Sequence, residues 1–393
     1  MAWEKVTARQ SLALPLSAVT DPLHAVRTNP KFIRLALRLA RRGYGRTSPN
    51  PMVGAVLVKA GKIIGRGWHR RAGLPHAEIE AIRDAEKHGH KCKGATLYVT
   101  LEPCCTQGRT PPCTDAIRAA GIRQVVAGAT DPNPLHAGRG FRILRRAGLS
   151  VTSGVLASEC GQLNEAFHHW ITRRTPFVTL KAAMSLDGKI ATVTGESKWI
   201  TGEEARAFAM RLRAGADAVL VGVNTIVKDN PALTLRLRGF AGKSLRRLVL
   251  DPRGRTPPAA GILCGGAADM TTIVVTKSAP RKRLAALRRR ARVLVAPARR
   301  GRIDLRWLLK TLGRENVASL LVEGGGETNA LWAPLCHRVV FFYAPIILGG
   351  RRAPTAVAGG GARTVGGKIS LRDMQWRRLG GDLLLIARAN GSE

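Results

Sequence analysis

The sequence predicts an α/β protein made of two domains, and three observations support this prediction. Segments with the periodicity of strands alternate with segments of helical periodicity, which is typical of layered α/β folds. The chain has 393 residues, which is longer than a single hydrophobic core usually organises, and 45% of these residues are hydrophobic. A basic helical segment ends just before Thr175 and Pro176, and a new strand pattern follows. We therefore expect domains at 30–174 and 175–393, preceded by a loose extension at 1–29.

The first domain is predicted from consecutive periodic segments. KFIRLALRLARRG repeats its apolar residues at helical spacing and stops at Gly43, and MVGAVLVKAGKIIGRGWH has the two runs of a β-hairpin. The periodicity then predicts a helix, a strand, a helix and a strand in HAEIEAIRDAEKHG, ATLYVTLEPC, TDAIRAAG and RQVVAGATDP. RILRRAGLSVTSGVL continues the alternation, and ASECGQLNEAFHHWITRR is predicted to form one helix.

The second domain has the same alternation, without a sequence repeat of the first. It starts with a strand in FVTLKAAMSLDGKIA. Further periodic segments follow in EEARAFAMRLRAGADAVLVGVNTI, RRLVLDPRG, TTIVVTK, VASLLVEGGGETNALWAP and HRVVFFYAPIILGG. Asp187 precedes Gly188 in a pattern typical of a turn, so we interpret it as structural.

The composition favours a cytoplasmic globular protein. Seven cysteines are few and odd in number for this length, and no charged and then apolar signal segment opens the sequence, so we expect reduced thiols. No run approaches the roughly 18 apolar residues that a membrane helix needs. We therefore expect no interaction with a membrane.

The formal net charge of +38 raises the question of a polyanionic partner. The densest basic runs, at 281–292 and 298–302, lack the interleaved aromatic residues that stack on bases. We interpret these runs as a solvated arginine-rich face and expect no nucleic-acid partner. The positive field would still attract a phosphorylated small substrate.

The clearest chemical signal is a set of potential metal ligands. His76 opens a helical segment, and Cys104 and Cys113 follow the next predicted strand. Imidazole and thiolate are preferred ligands of zinc, and a hydrolytic zinc site keeps its fourth position open. Glu78, two residues after His76, can shuttle protons without binding the metal. A closed structural site with Cys105 as fourth ligand is the alternative, and we place catalytic zinc ahead of it.

The order of these residues resembles the HxE and PCxxC signature of zinc-dependent nucleoside and base deaminases, with a longer gap between the cysteines. More specifically, four motifs in the first half and four in the second resemble the bifunctional deaminase/reductase family of riboflavin biosynthesis. The first four are SPNPMVGAVLV, GWHRRAGLPHAE, TLEPC with GRTPPC, and DPNP. The second four are LKAAMSLDGKIAT, GESKWIT, VGVNTIVKDNPALTLR and VEGGGE. The resemblance implies a cytidine-deaminase-like three-layer α/β/α domain followed by a dihydrofolate-reductase-like α/β domain.

The resemblance also implies two consecutive reactions. The first half would hydrolytically deaminate 2,5-diamino-6-(5-phosphoribosylamino)pyrimidin-4(3H)-one with zinc, and the second would use NADPH to reduce the ribosyl group of the product to ribityl. For the deaminase it implies substrate contacts at Asn50, His69, Arg109, Asp131 and Asn133. One departure is visible: where the family has a serine and a histidine after the first cysteine, this chain has Cys105, Thr106 and Gln107.

For the reductase, the residues alone are less informative. VEGGGETNALW places three glycines between a strand and a predicted helix, where backbone amides can approach a phosphate, although a simple glycine-rich turn remains an alternative. The resemblance implies substrate contacts at Lys181, Ser197, Arg213, Leu233, Arg236 and Glu323, with Lys181 as a candidate proton relay. It implies cofactor contacts at Ala183, Trp199, Thr225, Asp229, Gly325, Gly326, Glu327, Thr328, Asn329, Ala330 and Leu331.

Two other functions remain open at this stage. A nucleic-acid deaminase of the tRNA-editing type would fit the zinc motif and the charge, but would give no role to GRTPPC or to the second half. A nucleic-acid-binding protein with a structural zinc site would show steep salt dependence of binding and no effect of Glu78→Ala. We favour the bifunctional enzyme, and we expect it to form homo-oligomers.

Overall fold

The structure, a computed structural model, describes residues 28–108, 110–240, 243, 245–265 and 268–389. The predicted extension at 1–29 therefore lies outside the described residues, apart from Thr28 and Asn29. Asn29 belongs to the start of the first helix, because its side chain accepts a hydrogen bond from the Lys31 amide at 3.1 Å. Among the described residues, none of the helices has both the length and the apolar character needed to span a bilayer.

The first part of the chain alternates strands and helices as predicted. Its strands are β1 (Gly54–Lys59), β2 (Lys62–Trp68), β3 (Thr96–Leu101), β4 (Gln124–Ala129) and β5 (Ser150–Thr152). Its helices are α1 (Pro30–Ala40), α2 (Ala77–Lys87), α3 (Cys113–Ala119), α4 (Arg139–Arg146), α5 (Ala157–Leu163) and α6 (Glu165–Arg173).

The prediction of one helix across 157–174 is wrong, because the helix is interrupted at Asn164. The Asn164 side chain accepts a hydrogen bond from the Met52 amide at 2.8 Å and donates one to the Met52 carbonyl at 2.9 Å. These two long-range bonds hold Asn164 out of helical geometry, with φ −117° and ψ 22°. The interruption therefore ties the helical segment to the loop that carries Asn50.

The first sheet has the strand order β2-β1-β3-β4-β5. Strand β1 runs antiparallel to β2 and β3, whereas β3, β4 and β5 are parallel. Gly54 of β1 packs against α1, since an added Cβ would lie 2.0 Å from the Ala36 carbonyl oxygen. Gly67 of β2 packs against α2, since a Cβ added there would lie 2.2 Å from the Ala77 carbonyl oxygen. Because Gly67 pairs with Ala55, it points to the opposite face of the sheet from Gly54, and the result is three layers.

The second part of the chain is built around a larger sheet. Its strands are β6 (Phe177–Ser185), β7 (Ala218–Gly222), β8 (Arg246–Leu250), β9 (Thr271–Val275), β10 (Arg292–Val295), β11 (Ala298–Arg299), β12 (Arg302–Ile303), β13 (Ser319–Val322), β14 (Arg338–Ala344), β15 (Leu371–Leu379) and β16 (Asp382–Ala389). Its α-helices are α7 (Glu203–Gly215), α8 (Val223–Asp229), α9 (Arg281–Arg288), α10 (Leu305–Arg314) and α11 (Gly326–Trp332).

Nine of these strands form one sheet, in the order β10-β9-β8-β7-β13-β6-β14-β16-β15. The strands from β10 to β14 are parallel, and β16 and β15 add antiparallel strands at one edge. Strand β7 is buried on both faces: Leu220 packs into one apolar cluster and Val219 and Val221 into another. The chain passes from β6 over the position of β13 to β7, so the sheet order reverses there. Crevices at such a reversal, outside the carboxyl ends of parallel strands, are common ligand sites.

The two parts contact each other through α6. The Trp170 indole donates a hydrogen bond to the Gly313 carbonyl oxygen at 2.9 Å. Glu165 forms ion pairs with Arg338 and Arg388, the latter at 2.8 Å. Helix α6 therefore contributes both a hydrogen bond and a cluster of ion pairs to the contact between the two parts.

Candidate active sites

The three predicted metal ligands lie together at the ends of three elements. His76 is the residue directly before α2, Cys104 follows β3, and Cys113 is the first residue of α3. The ligand atoms all lie within 4.8 Å of one another. Cys105, considered above as a fourth ligand, is not part of this group among the residues that the structure describes.

The distances within the group fit zinc. The Nδ1 atom of His76 lies 3.5 Å from the Cys104 sulfur and 3.4 Å from the Cys113 sulfur. Zinc–sulfur and zinc–nitrogen bonds of the usual lengths at a tetrahedral angle would separate N from S by about 3.6 Å. The other ring nitrogen of His76 faces the Thr110 hydroxyl at 3.5 Å. The side chains therefore converge on a point where one ion can be bound through Nδ1 and two sulfurs.

The protonation states around this point favour a cation. The hydrogen bond between the two thiols lowers the pKa of Cys104 to about 4, and the same contact raises the pKa of Cys113. Zinc binds cysteine as the thiolate, so metal binding at this point would release any proton that the two sulfurs carry. Glu78 lies in the first turn of α2 and is 3% exposed, and burial, followed by the nearby Cys104, raises its pKa to about 7.

A polar pair predicted to contact the substrate lies beside the metal ligands. The Nδ2 atom of Asn50 lies 3.2 Å from His69 Nε2, and the Nδ1 atom of His69 lies 3.1 Å from the Pro75 carbonyl oxygen. Since that carbonyl can only accept, Nδ1 carries the proton and Nε2 accepts from Asn50. Burial lowers the pKa of His69, so the ring is neutral, and it meets the His76 ring edge to face at 5.2 Å.

Glu102, which sequence reasoning missed, organises the loop that carries Asp131 and Asn133. Its buried carboxylate accepts hydrogen bonds from four backbone amides, those of Asp131 (3.1 Å), Gly138 (2.8 Å), Gly140 (2.8 Å) and Phe141 (3.3 Å). Within the loop, Asp131 accepts from the Asn133 amide at 2.9 Å. The position of an acidic residue directly after the buried strand β3 is the sequence feature that could have indicated this role.

The structure also shows what lies beside the unusual CCTQ segment. The Thr106 hydroxyl is 3.1 Å from Nε2 of His136, a residue of the same 131–140 loop. The Nδ1 atom of His136 is buried without a hydrogen-bond partner, and it lies 3.7 Å from an Asp131 oxygen. An imidazole is therefore present next to Thr106, although it comes from a different segment of the chain. Arg109, another predicted substrate contact, lies outside the described residues.

A second cavity, of about 1120 Å³, lies at the carboxyl ends of the parallel strands in the larger sheet. It is bordered by residues that follow β6, β7, β8 and β13. The predicted reductase residues that line it are Ser197, Thr225, Asp229, Gly325, Gly326, Glu327, Thr328 and Leu331. Gly326 is required by packing, because an added Cβ would lie 2.3 Å from the Thr355 carbonyl oxygen, whereas an added Cβ at Gly325 would only reach ordinary contact with Ile190 at 3.9 Å.

Other predicted reductase residues form a charged group at the same end of the sheet. Arg213 and Glu323 form a largely buried two-pronged ion pair, with N–O distances of 3.1 and 2.7 Å, and Arg213 also donates to the Thr234 carbonyl oxygen at 3.0 Å. Burial raises the pKa of Glu323, but the charges of Arg213 and Lys181 outweigh this effect and hold the pKa below its usual value. Arg213 thus has three donors already engaged, whereas Arg236 is exposed and has no side-chain partner among the described residues.

The remaining predicted positions have mixed surroundings. Asn329 is fully buried and donates to the Ala356 carbonyl oxygen at 2.8 Å, so its side chain turns into the protein. Leu233 is buried with a positive φ of 50°. Trp199 is 72% exposed, and Ala183 and Ala330 are half-buried. Asp187 accepts hydrogen bonds from Ser185 and from the amides of Leu348 and Gly349, which is consistent with a structural role.

Two family profiles match this chain. The profile of the cytidine and deoxycytidylate deaminase zinc-binding region matches residues 26–129. The profile of the RibD C-terminal domain matches residues 176–385. Together they confirm the predicted fold class of both parts and the predicted cofactors, zinc for the first and NADPH for the second.

Similar proteins match over nearly their whole length. The riboflavin biosynthesis protein RibD of Aquifex aeolicus is 44% identical, over 90% of this chain and 97% of the relative, and that of Escherichia coli is 41% identical, over 81% and 88%. The solved structure of Acinetobacter baumannii RibD has a TM-score of 0.81 with 34% identity, covering 92% of this chain and 98% of that one. The Thermotoga maritima diaminohydroxyphosphoribosylaminopyrimidine deaminase/5-amino-6-(5-phosphoribosylamino)uracil reductase has a TM-score of 0.78 with the same identity and coverage. With its metal-ligand group, its reductase cavity and these relatives, the chain belongs to the RibD family of bifunctional riboflavin biosynthesis enzymes, which join a zinc-dependent pyrimidine deaminase to a reductase.

Proposed function

We propose that the first part of the chain removes the 2-amino group of 2,5-diamino-6-(5-phosphoribosylamino)pyrimidin-4(3H)-one by hydrolysis, with Glu78 as the proton carrier. The observation that carries this proposal is the convergence of His76, Cys104 and Cys113 beside the buried carboxylate of Glu78. When bound there, zinc supplies Lewis-acid activation of water. Glu78 accepts the proton released by the attacking water and returns it to the departing amino group, which leaves as ammonia.

The substrate would be oriented by the polar residues around this point. Asn50 and His69 are held in one arrangement by their mutual hydrogen bond and by Pro75, so they present fixed polar atoms to the pyrimidine. Asp131 and Asn133 lie on the loop that Glu102 anchors. We assign the ribose phosphate to Arg109 on family resemblance, because a guanidinium binds phosphate through two parallel hydrogen bonds.

We propose that the second part reduces the ribosyl group of the deaminated product to ribityl, with NADPH in the cavity lined by Ser197, Thr225 and the 325–331 segment. When bound there, NADPH would supply the hydride that reduces the anomeric carbon of the open-chain or imine form. Lys181 lies close enough to Glu323 for its charge to lower the pKa of that carboxyl, and it is the proposed proton donor. Arg236, which has no side-chain partner among the described residues, is proposed to bind the substrate phosphate, while Arg213 holds Glu323 in place.

Three further properties belong to the same proposal. The boundary between the domains lies near Thr175, between the end of α6 and the start of β6. The substrate is a small pyrimidine and no nucleic acid is a partner, because the densest basic runs, at 281–292 and 298–302, contain no aromatic residues for stacking on bases. The enzyme works in the cytoplasm as a homo-oligomer.

The test supplies the diamino substrate together with NADPH and follows ammonia and NADP⁺ in the same sample. We expect both products from the intact protein. In Glu78→Ala, ammonia release should be lost, while NADPH oxidation on the separately supplied deaminated product should continue. Full ammonia release by Glu78→Ala would contradict the assigned role of Glu78.

A further inference from the structure

The reductase cavity ends at a cluster of arginines that have no role in the proposed deamination or hydride transfer. Arg299, Arg300, Arg302 and Arg306 all line the cavity and all are exposed. Among the described residues, none of these four guanidinium groups forms a hydrogen bond or an ion pair. Although the sequence alone suggested a solvated face at 298–302, the structure places these charges at the wall of a ligand cavity.

The local backbone presents this cluster toward the cavity. Strands β11 and β12 form a two-residue hairpin in which Ala298 pairs with Ile303 and Arg299 with Arg302. The turn residues Arg300 and Gly301 both have positive φ, of 51° and 71°, as in the tight type I′ turn. Directly after the hairpin, Asp304 caps α10 by accepting from the Arg306 and Trp307 amides at 3.0 and 3.1 Å. The hairpin is therefore held on a helix start rather than on an unstructured loop.

The position of the cluster along the sheet indicates which part of a dinucleotide it meets. Lys181 lies in β6 and Glu323 directly follows β13, so the proposed reacting groups lie at these two neighbouring strands. The arginines follow β10, the edge strand on the far side of β8. Three strand spacings, about 14 Å, separate β6 from β8, so a dinucleotide extended along this edge has its adenosine half next to the hairpin. Leu250 and Leu335 line the same cavity and offer an apolar contact for the adenine.

Only one group on that half of the cofactor needs several cations. NADPH differs from NADH by a phosphate on the adenosine ribose, and dinucleotide sites commonly meet it with arginine, whereas NAD sites hold the ribose hydroxyl with a carboxylate. The carboxylate beside this hairpin, Asp304, uses its Oδ1 atom to cap α10. We propose that Arg299, Arg300 and Arg302 recognise the 2′-phosphate of NADPH and so select it over NADH. This inference rests on the proposed binding of NADPH in the cavity.

The test compares a triple variant with a control of equal charge. The variant is Arg299→Gln, Arg300→Gln, Arg302→Gln. The control is Arg281→Gln, Arg288→Gln, Arg289→Gln, three exposed arginines in and next to α9 that do not line the cavity. Binding of NADP⁺ and of NAD⁺ is measured by calorimetry, and KM for NADPH and NADH by steady-state kinetics. Both variants lose three positive charges, so a general field effect would appear in both.

We expect the variant to lose NADP⁺ affinity by at least about tenfold, equivalent to about 1.4 kcal/mol, with NAD⁺ affinity nearly unchanged. The control should keep the wild-type preference. Equal losses for NADP⁺ and NAD⁺, equal losses in variant and control, or an unchanged preference in the variant would each overturn the inference. If the wild-type protein bound neither dinucleotide, the reductase proposal would fail together with it, and calorimetry distinguishes that result from the others.

Discussion

At the scale of single residues, Glu78 gives the sharpest prediction. Glu78→Gln keeps the size of the side chain but removes the group that accepts a proton, so we expect deamination to fall by about 10²-fold or more. Zinc content should be unchanged, because Glu78 is not one of the converging ligands. Ammonia release and elemental analysis check the two statements, and NADPH oxidation on the deaminated substrate serves as the control. Loss of zinc in this variant would show that Glu78 acts as a ligand.

His136 gives a second prediction at this scale. His136→Ala removes the contact with Thr106 and loosens the loop that carries Asp131 and Asn133. We expect KM for the diamino substrate to rise several-fold with a smaller change in kcat, because the proposed role of the loop is to contact the substrate and not the attacking water. His88→Ala is the matched control, since His88 lies exposed at the end of α2. A pure loss of kcat at unchanged KM would contradict this role.

Several of these residues were within reach of sequence reasoning and others were not. His76, Glu78, Cys104 and Cys113 belong to short motifs whose spacing is itself the signal. Glu102 and His136 act through contacts with residues about 30 positions away, and no local sequence pattern predicts such contacts. The sequence indicates that the arginines at 298–302 are exposed. It does not indicate that the hairpin carrying them lines a cavity, because the cavity is formed by segments far away in the chain.

At the scale of elements, the metal site depends on how closely α2 packs on β2. Gly67→Ala would place a methyl group 2.2 Å from the Ala77 carbonyl oxygen, which forces the start of α2 away from the sheet. We expect a loss of about 1–3 kcal/mol in the free energy of unfolding. Because His76 and Glu78 lie at the displaced end, zinc affinity should fall as well.

The matched control for Gly67→Ala is Gly161→Ala in α5. Its added Cβ would meet only a His168 ring carbon at 3.9 Å, and alanine favours a helix by up to about 1 kcal/mol. Denaturant titration should therefore show this variant to be as stable as the wild type or more stable. If Gly67→Ala matched it in stability and zinc content, the close packing of α2 would not be needed to position the ligands.

The element boundaries show where local patterns are not enough. Periodicity predicted most strands and helices, because apolar residues repeat at the spacing of the element they form. It failed at Asn164, where hydrogen bonds to Met52, more than 100 positions away, override a continuous helical pattern. Long-range bonds of this kind are invisible to any window of the sequence.

At the scale of the whole molecule, two half-buried histidines at the junction make folding sensitive to acid. His169 of α6 and His337, just before β14, have ring centres 4.1 Å apart, and His337 Nδ1 accepts from the Val178 amide at 2.9 Å. Burial lowers the pKa of His169 to about 4 and that of His337 to about 3. Both are thus neutral in the folded state, whereas the unfolded chain takes up protons below about pH 6.5.

The free energy of unfolding should therefore fall as the pH is lowered from about 6.5 toward 4. His169→Phe removes one of the two groups while keeping an aromatic ring at the junction, so its stability should depend less steeply on pH in this range. Denaturant titrations at several pH values measure both slopes. Equal slopes for the wild type and His169→Phe would show that His169 does not contribute to acid sensitivity.

The most direct test of the central claim is X-ray absorption spectroscopy at the zinc edge, combined with the zinc content of the purified protein. An open site formed by His76, Cys104 and Cys113 predicts one zinc per chain with two sulfur ligands and two lighter ligands, of which one is the imidazole nitrogen. Three sulfur ligands would indicate a closed site that includes Cys105. Absence of zinc from the purified protein would show that these residues do not hold the metal. Either result would contradict the catalytic assignment of the first domain.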